Sequence, residues 1–130
     1  MRRLLLHGSS EESFDDSVRF AGRLADAFAA ELHVVYVLEE PLGAGSTVET
    51  PPDLLAPLHL AVEAEARERL SRVLGPRADN VTIAIRTGEP ARELARYTAE
   101  NAVDLAIVRG DDEHARGLIA HGQCSVLFLR

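Results

Sequence analysis

The run Leu32-His33-Val34-Val35-Tyr36-Val37-Leu38 decides the fold class. It is β-branched and almost continuously apolar, and a strand without polar alternation is one covered on both faces, as in a parallel sheet. Just upstream, Phe14, Val18, Ala21, Ala25 and Phe28 recur at intervals of four and three residues. That spacing predicts one face of an amphipathic helix ending near Ala30. Ser9 and Glu12 stand where a capping box would open that helix. Arg3 to Leu6 precede it as a short buried strand, closed by the turn-forming run His7-Gly8-Ser9-Ser10.

Downstream, Glu39 to Pro52 hold Pro41, Gly43, Gly45, Ser46, Thr47, Pro51 and Pro52, which predicts a mobile loop. A second helix is expected from about Asp53 to Leu74, with Leu55, Leu58, Val62, Ala66, Leu70 and Val73 as its apolar face. Gly75-Pro76 would stop it. Val81, Ile83 and Ile85 alternate with smaller or polar neighbours, a third strand. Gly88-Glu89-Pro90 opens a third helix, proline being suited to the first helical turn. That helix uses Leu94, Ala95 and Thr98 and ends near Asn101. Leu105 to Val108 read as a fourth strand, Glu113 to Ala120 as a short helix, and Ser125 to Leu129 as a fifth strand. Strands alternating with helices in this way imply right-handed crossovers and one doubly wound, five-stranded parallel α/β sheet. No internal repeat interrupts it, and one domain is expected over residues 1–130.

Length and composition agree. The 130 residues are 46% hydrophobic and 27% charged, the profile of a soluble globular domain rather than a disordered or fibrous chain. Apolar stretches run to a handful of residues, far below the roughly 20 needed to cross a bilayer. Met1-Arg2-Arg3 and Leu4 to Leu6 are followed too soon by polar His7 to Ser10 for a signal sequence, so a cytoplasmic location is expected. Cys124 is the single cysteine, which excludes an internal disulfide and a cysteine-cluster metal site. A net charge of −7 argues against general nucleic-acid binding, which needs a basic face. All 14 basic residues are arginine. A Walker-type phosphate lysine and a Schiff-base lysine are thereby excluded.

In an open parallel sheet, ligands bind beyond the carboxyl ends of the strands, where the winding direction reverses. The loops that reach this point follow strands one and four. They are His7-Gly8-Ser9-Ser10 and Gly110-Asp111-Asp112-Glu113. His7, Gly8, Ser9, Ser10, Gly110, Asp111 and Asp112 are therefore the candidate ligand crevice. Gly8 would let a ligand approach the backbone, and the serines precede a helix whose free N–H groups attract anions, or simply cap it. Three consecutive acids in the second loop oppose a phosphate. A pair of unit charges at roughly 6 Å and an effective dielectric of about 20 is worth about 2.8 kcal/mol. That offsets two ordinary hydrogen bonds at about 1 kcal/mol each, unless a divalent cation bridges. Otherwise these acids face solvent and favour the N-terminus of the next helix.

A metal-dependent hydrolase using His7, Asp112 and His114, with Asp111 nearby, is a weaker alternative, because the ligands lack a diagnostic spacing. No metal site is assigned. His33, His59 and His121 look unconnected, with His121 placed for a helix C-terminus. Ser9 or Ser10 beside His7 forms no nucleophile elbow, and Cys124 reads as a small buried hydrophobe, so no catalytic residue is assigned. Val126-Leu127-Phe128-Leu129 is apolar on both faces and followed only by Arg130. If that strand is outermost, pairing with a second copy in a two-fold dimer is the simple closed solution.

The chain resembles the universal stress protein family over essentially its whole length. The resemblance rests on Leu4-Leu5-Leu6-His7-Gly8-Ser9 through Ser13, and on Ala30-Glu31-Leu32-His33-Val34-Val35-Tyr36-Val37. It continues in Arg86-Thr87-Gly88-Glu89-Pro90-Ala91, Ala102-Val103-Asp104-Leu105-Ala106-Ile107-Val108 and Cys124-Ser125-Val126-Leu127-Phe128-Leu129. It implies a five-stranded sandwich of the adenine nucleotide alpha hydrolase-like kind, commonly a homodimer through the last strand. Many members resemble one another in a pattern G-x2-G-x9-G-[ST] after strand four that binds ATP, with an acidic residue after strand one. Here only Gly110 matches its start; Glu113 falls where the second glycine belongs, and the stretch from Gly110 to Cys124 is too short for the usual loop and helix. The usual Asp-Gly-Ser reads His7-Gly8-Ser9, or Gly8-Ser9-Ser10 in the neighbouring register. The resemblance thus implies a non-enzymatic stress-response homodimer that does not bind ATP, without cofactor, associating with a protein or a small ligand. The alternative it leaves is a sensor of adenine nucleotides such as AMP.

Overall fold

Leu4, Leu5 and Leu6 are almost completely excluded from solvent and lie in β1 (Arg3–His7), the central strand. The structure is a computed structural model that describes residues 1–8, 14–38, 52–109, 115–121 and 124–129. After β1 come α1 (Phe14–Phe28), β2 (Glu31–Leu38), α2 (Pro52–Leu74), a 3-10 turn (Gly75–Asn80) and β3 (Val81–Thr87). Then follow α3 (Pro90–Glu100), β4 (Leu105–Arg109), α4 (Ala115–His121) and β5 (Ser125–Leu129). The sheet runs β3-β2-β1-β4-β5 with every pairing parallel. The sequence expectation of a doubly wound, five-stranded parallel sheet describes this topology.

Alternate residues serve two cores. Leu4 and Leu6, Leu32 and Val34, Leu105 and Ile107 face α1 and α2, meeting Phe14, Val18, Ala21, Ala25, Leu70 and Leu74. Leu5, Val35, Val37, Ala106 and Val108 face α3 and α4, meeting Leu94, Tyr97 and Leu118. A strand buried on both faces cannot show polar alternation, which is why Leu32 to Leu38 read as one apolar run. β3, at the sheet edge, is only half-buried along most of its length.

The start of α3 has a local physical cause. Gly88 adopts φ +144°, a region L side chains rarely enter, and its N–H donates to the Leu38 carbonyl at 2.9 Å. The Glu89 carboxylate then accepts from the N–H groups of Ala91 and Arg92 at 3.3 and 3.0 Å, closing the helix N-terminus. Pro90 follows at the first helical position, where its missing N–H is harmless.

Several expectations need correction. Phe28 belongs to the last turn of α1 but is 51% exposed, because the helix ends there, at Ala29 with φ +51°, without packing that ring on the sheet. In α2 the packed face is Ala66, Leu70 and Leu74, whereas Leu58 and Val62 are 51% and 46% exposed. The expected apolar stripe continues past the part of the helix that the sheet covers. α4 is described over Ala115–His121, one residue past the expected end at Ala120. The proposed capping box at Ser9 and Glu12, the Glu39-to-Pro52 loop up to Pro51, the side chain of Leu55 and Glu113 lie outside the described residues, while Pro52 already belongs to α2.

Candidate functional site

Because all strands are parallel, their carboxyl ends share one side of the sheet, and the winding reverses between β1 and β4. His7 ends β1, Gly8 follows it, and Arg109 ends β4 beside Leu129 of β5. Ser9, Ser10, Gly110, Asp111 and Asp112 lie outside the described residues, as does His114.

Gly8 has a structural reason of its own. Its N–H donates to the Val35 carbonyl at 2.7 Å, extending the ladder between β1 and β2. A Cβ there would stand 3.3 Å from the Val35 carbonyl oxygen and 3.4 Å from the Tyr36 side chain. Close packing against β2 therefore uses the missing side chain. Arg109 is a feature that sequence reasoning missed. It places a half-buried arginine at the very end of β4, immediately before the acidic run in sequence. Its one local trace is Val108-Arg109-Gly110, a charged residue directly abutting a buried strand.

Among the described residues, no group of three or more His, Cys, Asp or Glu side chains could hold a metal ion. Cys124 is half-buried, and burial raises its thiol above the ordinary range, which lowers thiolate content at neutral pH.

His33 is not unconnected. It is buried on the α3 face of β2 and shares a 2.6 Å hydrogen bond between its Nδ1 and the Tyr97 hydroxyl. Its Nε2 lies 3.4 Å from Glu31 Oε2. A carboxylate only accepts, so Nε2 donates, and in the neutral ring Nδ1 then accepts from the Tyr97 hydroxyl. Burial raises the Tyr97 pKa, keeping the phenol protonated for that role. Arg86 covers the Tyr97 ring at 5.1 Å and reaches Glu100 at 3.3 Å. Arg3 Nε donates to Glu31 at 3.0 Å, and a second Arg3 nitrogen donates to the Asn101 carbonyl. The bond to His33 and then that to Arg3 hold the Glu31 carboxyl below its ordinary pKa. This network lashes α3 to three strands, and the separation of 64 positions from His33 to Tyr97 hid it from any local pattern.

A model of the universal stress protein family matches residues 1–130. The chain belongs to the universal stress protein family. No curated protein matches it in sequence. Among solved structures it is similar to the universal stress protein UspA from Lactobacillus plantarum, at 20% identity and a TM-score of 0.72, covering 99% of this chain and 97% of that one. A universal stress protein in complex with cAMP is similar at 17% identity and a TM-score of 0.66, covering 99% and 96%. One from Archaeoglobus fulgidus in complex with dAMP is similar at 14% identity and a TM-score of 0.64, covering 100% and 98%. At these identities the structural likeness establishes the fold. The Gly88-Glu89-Pro90 step that supported the resemblance is the turn and cap described above, and Asp104 likewise has a task. Its carboxylate accepts from the N–H groups of Arg2 and Arg3 at 2.7 and 3.0 Å, tying the start of β1 to β4.

Proposed function

We propose that this universal stress protein acts by association rather than catalysis, as a cytoplasmic homodimer of one domain over residues 1–130 that does not grip the triphosphate of ATP. The observation that carries the reading is the short crossover between Arg109 and Ser125, whose helix is described over 7 residues. With Asp111, Asp112 and Glu113 at its start, that stretch is both brief and negative where a phosphate would need amides and positive charge. Its ligand or protein partner is taken at His7, Gly8, Ser9, Ser10, Gly110, Asp111 and Asp112. No helix among the described residues is long and apolar enough to cross a membrane.

The dimer reading is supported by the place of β5 at the sheet edge, with Phe128 44% exposed. Leu127 and Leu129 reach the core beneath α1 and α2, and Val126 the core beneath α3 and α4. Among the described residues the strand therefore pairs only with β4 and offers its other edge between two anchored faces, the geometry that pairs with a second copy.

A second reading keeps an adenine nucleoside monophosphate at the same crevice. The cAMP and dAMP complexes of the similar proteins favour it.

A thermal-shift series with ATP, ADP, AMP and adenosine, with and without magnesium, separates the two. A ligand at a hundred times its Kd stabilises by about 2.7 kcal/mol, a shift of several degrees. The preferred reading expects no shift with ATP. A shift with AMP alone establishes the second reading, and an ATP-dependent shift rejects the first. In sedimentation the native chain is expected as a dimer and Phe128→Glu as a monomer; a native monomer overturns the β5 assignment.

A further inference from the structure

A groove of about 800 Å3 lies between α1 and the end of α2 with its following 3-10 turn. No strand residue lines it, so it is separate from the crevice at the strand ends. That volume falls within the range of small-molecule sites, roughly 300–1,000 Å3. Three guanidinium groups line it, from Arg19, Arg72 and Arg77, against one carboxylate, Asp15. Each of these arginines also has a carboxylate partner just outside the lining, so the groove offers guanidinium donors rather than a net positive charge. Val73 and Pro76 supply apolar surface between the charges, with buried Val18 at the floor.

The arginines are weakly committed elsewhere. Arg19 is 4.0 Å from Asp16 and Arg72 is 3.7 Å from Glu68, both exposed pairs within one helix, a type of interaction worth little. A guanidinium carries five N–H donors, so each such pair leaves most of them available to another acceptor.

Arg77 is positioned by shape. A Cβ on Gly22, in the middle of α1, would stand 2.5 Å from its Cζ and 2.7 Å from its Nη1. The guanidinium therefore lies directly against the glycine backbone, and its Nη2 donates to Asp26, one turn further on, at 3.3 Å. Glycine inside a helix costs roughly 0.5–1 kcal/mol relative to alanine, and here it makes the seat for a charged group on the groove wall. A donor held in place before binding does not lose that freedom when a ligand arrives.

We propose that this groove binds a free small organic anion, its apolar body against Val18, Val73 and Pro76 and its carboxylate, sulfonate or phosphate against Arg19, Arg72 and Arg77. The site is independent of whatever the strand-end crevice holds.

The test is a fluorescence titration of the full chain with 8-anilinonaphthalene-1-sulfonate, alongside the uncharged N-phenyl-1-naphthylamine, which has the same rings. Saturable binding of one sulfonate per chain is expected, with the uncharged dye at least tenfold weaker. The double variant Arg19→Gln, Arg72→Gln should weaken the sulfonate at least tenfold. Gly22→Ala should weaken it several-fold with an unchanged near-ultraviolet circular dichroism spectrum, because the added methyl displaces only the flexible end of Arg77. Absence of saturable binding, equal affinity for the two dyes, or indifference to the double arginine variant overturns the proposal; the last places the dye elsewhere, as on the exposed leucines of α2. Displacement of the dye by AMP that is undiminished in the double arginine variant also overturns it, since the dye would then occupy the nucleotide crevice.

Discussion

α2 and α3 divide the work of helices in an unexpected proportion. α2 has 23 residues and α3 has 11, yet α3 buries Pro90, Ala91, Leu94, Ala95, Tyr97 and Thr98. The forward half of α2 leaves Leu58, Leu60 and Val62 about half-exposed or more, and only Ala66, Leu70 and Leu74 are buried further along. α3 is also capped by Glu89 and tied to the sheet through Tyr97, whereas the buried contacts of α2 are apolar. Helix length is thus a poor guide to contribution. Stability follows the area removed from water and the polar groups satisfied there, and a long helix that overhangs its sheet contributes through one part only.

The sharpest way to break the comparison is to truncate one leucine on each helix. Leu94→Ala, at a fully buried position, should lose about 2–5 kcal/mol in denaturant unfolding, from lost transfer free energy and the cavity left behind. Leu60→Ala, at a position 67% exposed, should stay within about 0.5 kcal/mol. Comparable losses would mean that the forward half of α2 is covered in solution.

A smaller effect tests the polar tie of α3. Tyr97→Phe keeps the ring, and with it the contact to Arg86, but strands the buried His33 Nδ1. A loss of about 1–3 kcal/mol is expected from that unsatisfied group. A neutral outcome would show that the hydroxyl adds nothing beyond ring packing.

The smallest effect lies just past α3, in the acid limb of stability. The Arg2 and Arg3 N–H groups hold the Asp104 carboxyl below its ordinary pKa, so the folded state binds that proton less tightly than the unfolded one. Its contribution is present above the ordinary carboxylate range, near pH 4, and disappears as pH falls through the lowered folded value. Asp104→Asn should flatten the decline in denaturation midpoint below about pH 4. An identical acid limb in the variant would remove Asp104 as its source.

Much of the fold could be read locally because its causes are local. Leu4 to Leu6 and Leu32 to Leu38 announce doubly covered strands, and Gly88, Glu89 and Pro90 carry the backbone angle, the cap and the missing N–H in adjacent positions. β5 was legible to the residue as Ser125–Leu129, since a short apolar run between breakers has little else to become. The candidate site was legible in part. Strand ends and switch point follow from topology, so His7 and Gly8 could be placed, while the close packing of Gly8 against Val35 and Tyr36 depends on a neighbouring strand. Arg109 was not legible, because one arginine after an apolar run carries no periodic or spacing signal.

The amino-acid sequence by itself determined the element order, the parallel sheet and the absence of lysine or cysteine-pair chemistry, because periodicity and residue type act within a few positions. Only the tertiary structure decided which apolar residues of α2 would find cover, that His33 would meet Tyr97, and that Arg77 would settle on Gly22. Those outcomes depend on how far a helix extends past the sheet and on which distant side chains share a layer. Such distances are set only when the chain has closed on itself.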